Sequence, residues 1–403
     1  MTSSEASTDG AMIWDRVIGQ PAVVAELQQA AAAAVGSDPA HAMTHAWLIT
    51  GPPGSGRTTA AVAFAASLLC SRQGCGACRE CKSVLSSDHP DVEMVRSTTL
   101  SLGKDRTKQL VSQAAGAPVS GSWRIFIVED ADRMTEAAAN TLLKSIEEPT
   151  GQMVWVLCAP SPEDLLPTIR SRTRHIALRV PSAESVAELL TTEEVDPAMA
   201  AFAAHAAQGH IGRARALAQD EEVRNRRAEV LRLPRQLAAI TDAYEAAADL
   251  KRNAEASAKR RSQELDEKEN AELLEVYGSG AEGVSTAKVR SLAKRALSDL
   301  AKRQAQRASR SVRDELDRNF LDLLGFYRDV LMTQSGANTE PINLDLAAAV
   351  EQIAQRGEIS ETMMRIEALT VARAQLSSNV PPQLVCEALM VQLLHPVRPL
   401  AGH

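Results

Sequence analysis

Four cysteines lie within twelve residues of one another and form the densest group of potential metal ligands in the chain. They are Cys70, Cys75, Cys78 and Cys81. Four thiolates at this spacing can close a tetrahedral shell around Zn²⁺ with no open position, which is typical of a structural metal site. An iron–sulfur cluster also uses Cys-x2-Cys-x2-Cys spacing, and free thiols are a third alternative. The spacing favours structural zinc among these three.

A glycine-rich loop precedes the cysteines and has the spacing of a phosphate-binding loop. It runs Gly51-Pro52-Pro53-Gly54-Ser55-Gly56-Arg57-Thr58. Its glycines allow backbone N–H groups to face one anion beside the positive end of a helix, and Thr58 offers a hydroxyl for magnesium. A working loop carries lysine where this chain has Arg57, and the planar guanidinium is bulkier than an ammonium. The sequence therefore predicts a degenerate loop that no longer supports hydrolysis, and it leaves binding of ATP or ADP open.

Two acidic residues follow an apolar stretch that begins at Arg124. In an active ATPase the first acid would bind magnesium and the second would polarise water. Here Glu129 precedes Asp130, which reverses the usual order of the two side-chain lengths. A shift of roughly one ångström in such a group can lower a rate by about 10²-fold. This order is a second indication of a weakened hydrolytic site.

Two basic segments have competing interpretations. Arg170, Arg172 and Arg174 lie within five residues, either as a solvated turn or with one of them acting in trans as an arginine finger on a neighbour's nucleotide. The run from Lys288 to Arg310 is strongly basic but contains no aromatic residue for base stacking, so a solvated helix face is favoured over a nucleic-acid site.

The elements that must position these residues can be predicted from hydrophobic patterning. Five strands are predicted at 46–50, 91–95, 124–129, 153–159 and 175–180, with helices at 21–35, 58–70, 105–115 and 135–148. Most of the strands are continuously apolar, as expected where both faces of a parallel sheet are covered. The pattern predicts a doubly wound α/β domain followed by an all-α region.

Composition and segment patterns define the expected domains. The 403 residues carry a net charge of −7, no secretory signal and no membrane span, which predicts a cytoplasmic protein. The expected organisation is a disordered N-terminus at 1–12, a nucleotide-binding-like α/β domain at 13–182 with the zinc knuckle at 70–81, a helical lid at 183–226, a charged helical connector at 227–310 and a C-terminal helical domain at 311–398.

Together these segments resemble the bacterial DNA polymerase III clamp-loader subunits of the AAA+ superfamily. The resemblance is dense over residues 13–180. Trp14–Gln20 resembles the box that contacts adenine in this family, and the cysteine knuckle with His89-Pro90-Asp91 resembles its zinc module. Asn140–Pro149 resembles the helix after the acidic strand, and Ser171-Arg172-Thr173 resembles the finger motif. The resemblance implies a P-loop sheet with a zinc module, a helical lid and a helical collar that mediates oligomerisation.

Four departures from the active subunits indicate a stator of this family. They are Arg57, the Glu129–Asp130 order, Cys158-Ala159 at sensor 1 and Gly212 at sensor 2. The resemblance then implies a subunit with little or no ATPase activity of its own, which assembles with delta and gamma/tau subunits in a hetero-pentamer. Arg172 would act in a neighbour's site while the complex loads a sliding clamp onto primed DNA.

Three alternatives remain at this stage. The first is the ATP-hydrolysing gamma/tau motor of the same assembly, which would need lysine at position 57 and arginine near position 212. The second is a stand-alone zinc-containing ATPase or helicase-like enzyme, and the third is a structural protein with a vestigial fold.

Overall fold

The computed structural model describes residues 12–34, 43–95, 101–149, 151–278, 286–378 and 380–396. The described chain divides into two compact units, with the boundary between Gln219 and Asp220. Residues 1–11 of the predicted disordered N-terminus lie outside this description.

The first unit is built on a five-stranded parallel sheet in the order β2-β3-β4-β1-β5. Its strands are β1 Ala46–Thr50, β2 Val92–Val95, β3 Arg124–Val128, β4 Met153–Ala159 and β5 Arg174–Ala177. Every residue of β1 and β4 is buried, because helices cover both faces of the sheet. The predicted class, a doubly wound parallel α/β sheet followed by an all-α region, is confirmed.

Among the residues of the first unit that the structure describes, nine α-helices surround or follow the sheet. They are α1 Pro21–Ala34, α2 Arg57–Leu69, α3 Arg79–Leu85, α4 Lys104–Ala114, α5 Glu136–Glu147, α6 Pro167–Arg170, α7 Ala183–Thr192, α8 Pro197–Ala206 and α9 Ile211–Gln219. Helices α1 and α2 pack on one face of the sheet, against Trp47 and Ile49 of β1. Helices α4 and α5 pack on the other face, against Leu48 of β1 and Trp155 of β4.

The second unit is helical throughout its described residues. Its helices are α10 Glu221–Val230, α11 Leu233–Gln236, α12 Ile240–Gly278, α13 Thr286–Ser335, α14 Ala347–Arg356, α15 Ile359–Ser377 and α16 Pro382–Leu394. The C-terminal half of α13 supplies the centre of the core with Leu316, Phe320, Leu323, Phe326 and Val330, which recur at helical spacing.

A buried polar network links three segments of this second core. Arg227 of α10 donates its Nε–H to Asp322 of α13 over 3.2 Å, and it also donates to the side-chain oxygen of Asn343. Asp329 accepts from the backbone and side-chain nitrogens of Asn343 at 2.9 and 2.8 Å. A buried ion pair needs such further hydrogen bonds to offset the loss of hydration.

The predicted lid, connector and collar boundaries at 226 and 310 stay predictions. Helix α10 runs across residue 226, and α13 runs across residue 310 without interruption. The long helices α12 and α13 pack against each other through pairs such as Arg307 with Asp266 and Glu269.

Candidate functional site

The phosphate-loop sequence and the acidic pair meet at one edge of the sheet. The loop leaves the end of β1 after Thr50, and Thr50 lies in register with Ala159 of β4. Val128 of β3 lies in register with Leu157 of β4, so the residues that follow β3 come to the same edge. This is the carboxyl edge, where open α/β sheets bind their ligands.

The loop has the backbone conformation that its glycines allow. Gly54 and Gly56 have φ values of +86° and +90°, in the left-handed region that residues with a side chain avoid. Helix α2 then begins at Arg57, one residue earlier than predicted. The geometry is that of a loop curled at a helix N-terminus, which suits an anion.

Arg57 does not extend away from the loop. Its Nη1 donates a hydrogen bond to the carbonyl oxygen of Gly51, so the guanidinium folds back across the loop that it follows. Ser55, 2% exposed, has a buried hydroxyl with no hydrogen-bond partner among the described residues. The charge of Arg57 is therefore directed at the loop's own carbonyl group.

His210, in the segment between α8 and α9, packs directly on the loop. A Cβ atom placed on Gly54 would lie 2.5 Å from the Cα and Cβ atoms of His210 and 2.4 Å from its Cγ. The preceding Gly209 has a φ of +80°. A Cβ atom placed on it would clash with the side chain of Val180 and lie 3.0 Å from the carbonyl oxygen of Pro181. The sequence did not reveal this contact, because Gly54 and His210 are far apart in the chain.

The pKa of the Cys158 thiol is affected by charged residues that meet at this edge of the sheet. The pKa of its thiol is raised to about 12, mainly by burial; the positive charge of Arg57 acts to lower it, and the carboxylates of Glu129 and Asp130 act to raise it. Asp132 is also raised in pKa, first by burial and then by the charge of Asp130. Arg57, Glu129 and Asp130 thus act on one buried thiol, and all three predicted site residues share one electrostatic environment.

Arg172 lies apart from this edge, on the exposed turn between α6 and β5. Its Nε lies 2.6 Å from Oε1 of Glu147, the last residue of α5. Its Nη1 donates to the Thr168 carbonyl at 3.1 Å and to the Ser171 hydroxyl at 3.2 Å. The side chain is 41% exposed, so these contacts orient a guanidinium that still faces solvent.

The neighbouring arginines have different environments. Arg174 donates two hydrogen bonds to Glu26 of α1, at 3.0 and 2.8 Å, and stacks 4.9 Å from the centre of the Trp47 ring. Arg170 lies 3.8 Å from the exposed Glu163. Arg174 therefore stabilises the fold through its contacts with Glu26 and Trp47. Of the three arginines, Arg170 and Arg172 remain as candidates for the finger.

The four cysteines converge on one point. Their sulfur atoms all lie within 4.8 Å of one another, with Cys70 3.7 Å from Cys75 and 3.6 Å from Cys78. A Zn²⁺ ion bound tetrahedrally at about 2.3 Å would separate its sulfur ligands by about 3.8 Å. The cluster can hold a metal ion, and the soft, fully thiolate donor set fits Zn²⁺.

Local structure explains how short segments bring these sulfurs together. Cys70 ends α2, Cys78 caps the N-terminus of α3 and Cys81 lies in its first turn. Backbone N–H groups point at the sulfurs: Arg72 donates to Cys70 at 3.3 Å and Cys81 to Cys78 at 3.4 Å. Helix α3 was not predicted, because its seven residues are too few to show a hydrophobic period.

Backbone N–H groups of this segment also alter the pKa values of the thiols. The backbone N–H of Ala77 is the main cause that lowers the pKa of Cys75 to about 6. Burial acts to raise the pKa of Cys70, but N–H donors from Cys75, Gly74 and Arg72 outweigh it and lower the pKa overall. Burial raises the pKa of Cys81 instead. Metal binding would therefore displace a proton from Cys81.

His89 and Asp91 connect the cysteine helix to the rest of the unit. The ring Nδ1 of His89 accepts from the Asp91 backbone N–H at 3.0 Å, so its Nε2 carries the proton that faces Glu80 of α3 at 2.7 Å. The carboxylate of Asp91 accepts three backbone N–H groups, from Val119 at 2.6 Å, Ser120 at 2.8 Å and Gly121 at 2.7 Å. His89 thus contacts α3 directly, whereas the Asp91 carboxylate holds residues 119–121, and neither residue belongs to the group of four sulfur atoms.

The basic run at 288–310 is partly neutralised. Arg307 donates to Asp266 and Glu269 on the facing helix α12, which strongly stabilises its charged form. The side chains of Lys288 and Arg290 lie outside the described residues. The pairing of Arg307 supports the interpretation of this run as a helix face rather than a nucleic-acid site.

Comparison with known proteins finds similarity to subunits of DNA polymerase III. Residues 19–182 match the family model described as DNA polymerase III, delta subunit. The chain is 32% identical to the delta' subunit of Bacillus subtilis over 194 residues, covering 47% of this chain and 59% of the relative. It is 36% identical to the delta' subunit of Pseudomonas aeruginosa over 169 residues, covering 40% and 51%.

A gamma/tau subunit is also similar to part of this chain. The gamma/tau subunit of Mycobacterium tuberculosis is 36% identical over 179 residues, covering 43% of this chain and 30% of the relative. The chain thus spans less than two thirds of the length of each of these relatives. Among the described residues, no helix combines the length and apolar character needed to cross a bilayer.

Proposed function

We propose that this chain, whose residues 19–182 belong to the DNA polymerase III delta-subunit family, is the delta' stator of a clamp loader. In this role it assembles with delta and gamma/tau subunits in a hetero-pentamer in the cytoplasm. The complex loads a sliding clamp onto primed DNA, and this chain supplies Arg172 to the nucleotide site of a neighbouring motor subunit. It turns over little or no ATP itself.

One contrast carries the proposal: the chain's own phosphate loop is engaged by its own residues, whereas Arg172 faces solvent. Arg57 bonds to the Gly51 carbonyl and His210 packs on Gly54, where a nucleotide's phosphates would need open space. Arg172 is exposed but oriented by Glu147, Thr168 and Ser171. A guanidinium presented in this way suits a phosphate on another subunit.

A reconstituted loader tests this proposal by comparing wild type with Arg172→Ala. We expect the variant to lower clamp- and DNA-stimulated ATP turnover, because an arginine finger contributes about 10³- to 10⁵-fold at the site that it serves. Arg170→Ala is the matched control, since Arg170 has a similar exposure and pairs only loosely with Glu163. Equal rates for wild type and Arg172→Ala, in a loader that assembles normally, would rule out the finger.

The gamma/tau motor is the second candidate, and the identity with the Mycobacterium tuberculosis subunit favours it. The two candidates differ in the isolated chain. A motor binds ATP and hydrolyses it unaided, whereas the stator proposal expects turnover at background level. If the purified chain hydrolyses ATP at a motor-like rate, the chain would be assigned as the motor and not as the stator.

We further propose that the cysteine cluster holds structural Zn²⁺. The fit of the sulfur spacing to a zinc–thiolate tetrahedron supports this identification over iron–sulfur. A bound zinc would supply fold stability alone, because four protein ligands leave no position for substrate. Elemental analysis should find one zinc per chain and no iron, and visible absorption of an iron–sulfur cluster would contradict the assignment.

A further inference from the structure

The loop between Cys70 and Cys75 contacts the turn Ile13–Arg16. Residues Ile13–Arg16 form a single 3₁₀ turn, and both Ile13 and Trp14 are buried. A turn of four residues has too few internal hydrogen bonds to be stable alone, so other parts of the protein must hold it.

Two hydrogen bonds join this turn to the loop between Cys70 and Cys75. The backbone N–H of Ile13 donates to the Gly74 carbonyl at 3.0 Å. The indole N–H of Trp14 donates to the Gln73 carbonyl at 3.1 Å. Both acceptors lie between two of the four sulfur ligands, so the positions of these carbonyl groups depend on how the sulfurs are held.

The backbone conformation of the loop allows this close contact. Gln73 and Gly74 have φ values of +55° and +96°, and a Cβ atom on Gly74 would lie 2.6 Å from Cγ2 of Ile13. A residue with a side chain, here Gln73, keeps a left-handed conformation only where the surroundings impose it. Four metal–sulfur bonds are a sufficient constraint, because they fix Cys70 and Cys75 on either side of the loop.

We propose that metal binding by the four cysteines holds the turn Ile13–Arg16 in place. The metal orders the Gln73–Gly74 carbonyl groups, and these bind Ile13 and Trp14. Since linkage is reciprocal, docking of the turn strengthens metal binding in return. The proposal concerns the isolated chain and does not depend on the clamp-loader function.

Hydrogen exchange with and without Zn²⁺ tests the first half of the linkage. In the full chain, removal of zinc by a chelator should speed exchange of the Ile13 and Val17 amides by at least about ten-fold, because their bonds depend on the docked turn. Amides of β4 should keep their protection, which shows that the sheet remains folded. Unchanged exchange at residues 13–17 after zinc removal would overturn the proposal.

Zinc affinity tests the second half. Trp14→Phe keeps an aromatic ring but removes the indole donor, and we expect about five-fold weaker zinc binding in competition with a chromophoric chelator. Trp155→Phe is the matched control, because Trp155 donates its indole N–H to Ser145 at 3.1 Å on the other face of the sheet. An equal effect of the two substitutions, or no zinc binding by the wild type, would refute the linkage.

Discussion

Asp91 illustrates how one carboxylate can organise a loop that is distant in sequence. It is 1% exposed, and it accepts backbone N–H groups from three consecutive residues, Val119, Ser120 and Gly121. Burial alone would raise its pKa, but these three donors outweigh burial and lower the pKa below its usual value. The charged form is therefore part of the folded structure.

Replacing Asp91 by alanine should lower the free energy of unfolding by about 3 kcal/mol, because three backbone N–H groups lose the charged, buried acceptor that holds them. Asp88→Ala is the matched control, since Asp88 is an exposed acid three residues away. Urea denaturation of both variants measures the difference. A similar small loss for the two variants would contradict the assigned role of Asp91.

The pH dependence of this contribution follows from the direction of the shift. A carboxyl whose pKa is lower in the folded state stabilises the fold fully above its unfolded pKa of about 3.9. That stability is lost as the pH falls through the folded pKa. The difference between wild type and Asp91→Ala should therefore shrink under acid conditions below this value.

At the scale of elements, α5 connects the two candidate site regions of the first unit, the acidic edge of the sheet and the contact with Arg172. It begins at Glu136, shortly after the acids that follow β3, and it ends at Glu147, which binds Arg172. Leu142 and Ile146 fix it against the sheet. A single rigid helix thus sets the distance between the acidic edge and the proposed finger.

The contact between the phosphate loop and the α8–α9 segment can be measured with two glycines. Gly54 and Gly56 have nearly the same φ, so alanine at either position incurs a similar backbone strain of about 1–2 kcal/mol. Only at Gly54 does the new Cβ meet another residue, His210, whereas nothing lies within 4 Å at Gly56. We expect Gly54→Ala to be the more destabilising by about 1–3 kcal/mol in thermal or chemical unfolding. Equal losses would mean that His210 does not rest on the loop.

Patterning predicted the elements well where they are long or continuously apolar. Strands Ala46–Thr50 and Met153–Ala159 match their predicted bounds, because both are buried on two faces. The short α3 was missed because Cys78 caps it and the knuckle, not periodicity, determines its start. The sequence could not reveal the contact of His210 with Gly54 or of Asp91 with Ser120, since no local pattern reports on partners distant in the chain.

At the scale of the whole molecule, each unit has its own hydrophobic core. The first unit buries the two faces of the sheet, and the second buries the aromatic and aliphatic face of α13. Hydrophobic cores of this kind commonly define cooperative folding units. A substitution that destabilises one core should therefore lower the free energy of unfolding of that unit alone.

A substitution of the buried Arg227 tests whether a loss of stability in one core stays within its own unit. Arg227→Met removes the partner of Asp322, itself 5% exposed, and should destabilise the second unit by about 3–5 kcal/mol because a buried carboxylate loses its counter-ion. Arg226→Met is the matched control: its pair with Glu222 lies at the surface of the same helix and is worth about 0–1 kcal/mol. Scanning calorimetry should show two unfolding transitions, and Arg227→Met should lower the midpoint temperature of only one of them. If both transitions fall together, the two cores unfold as a single cooperative system.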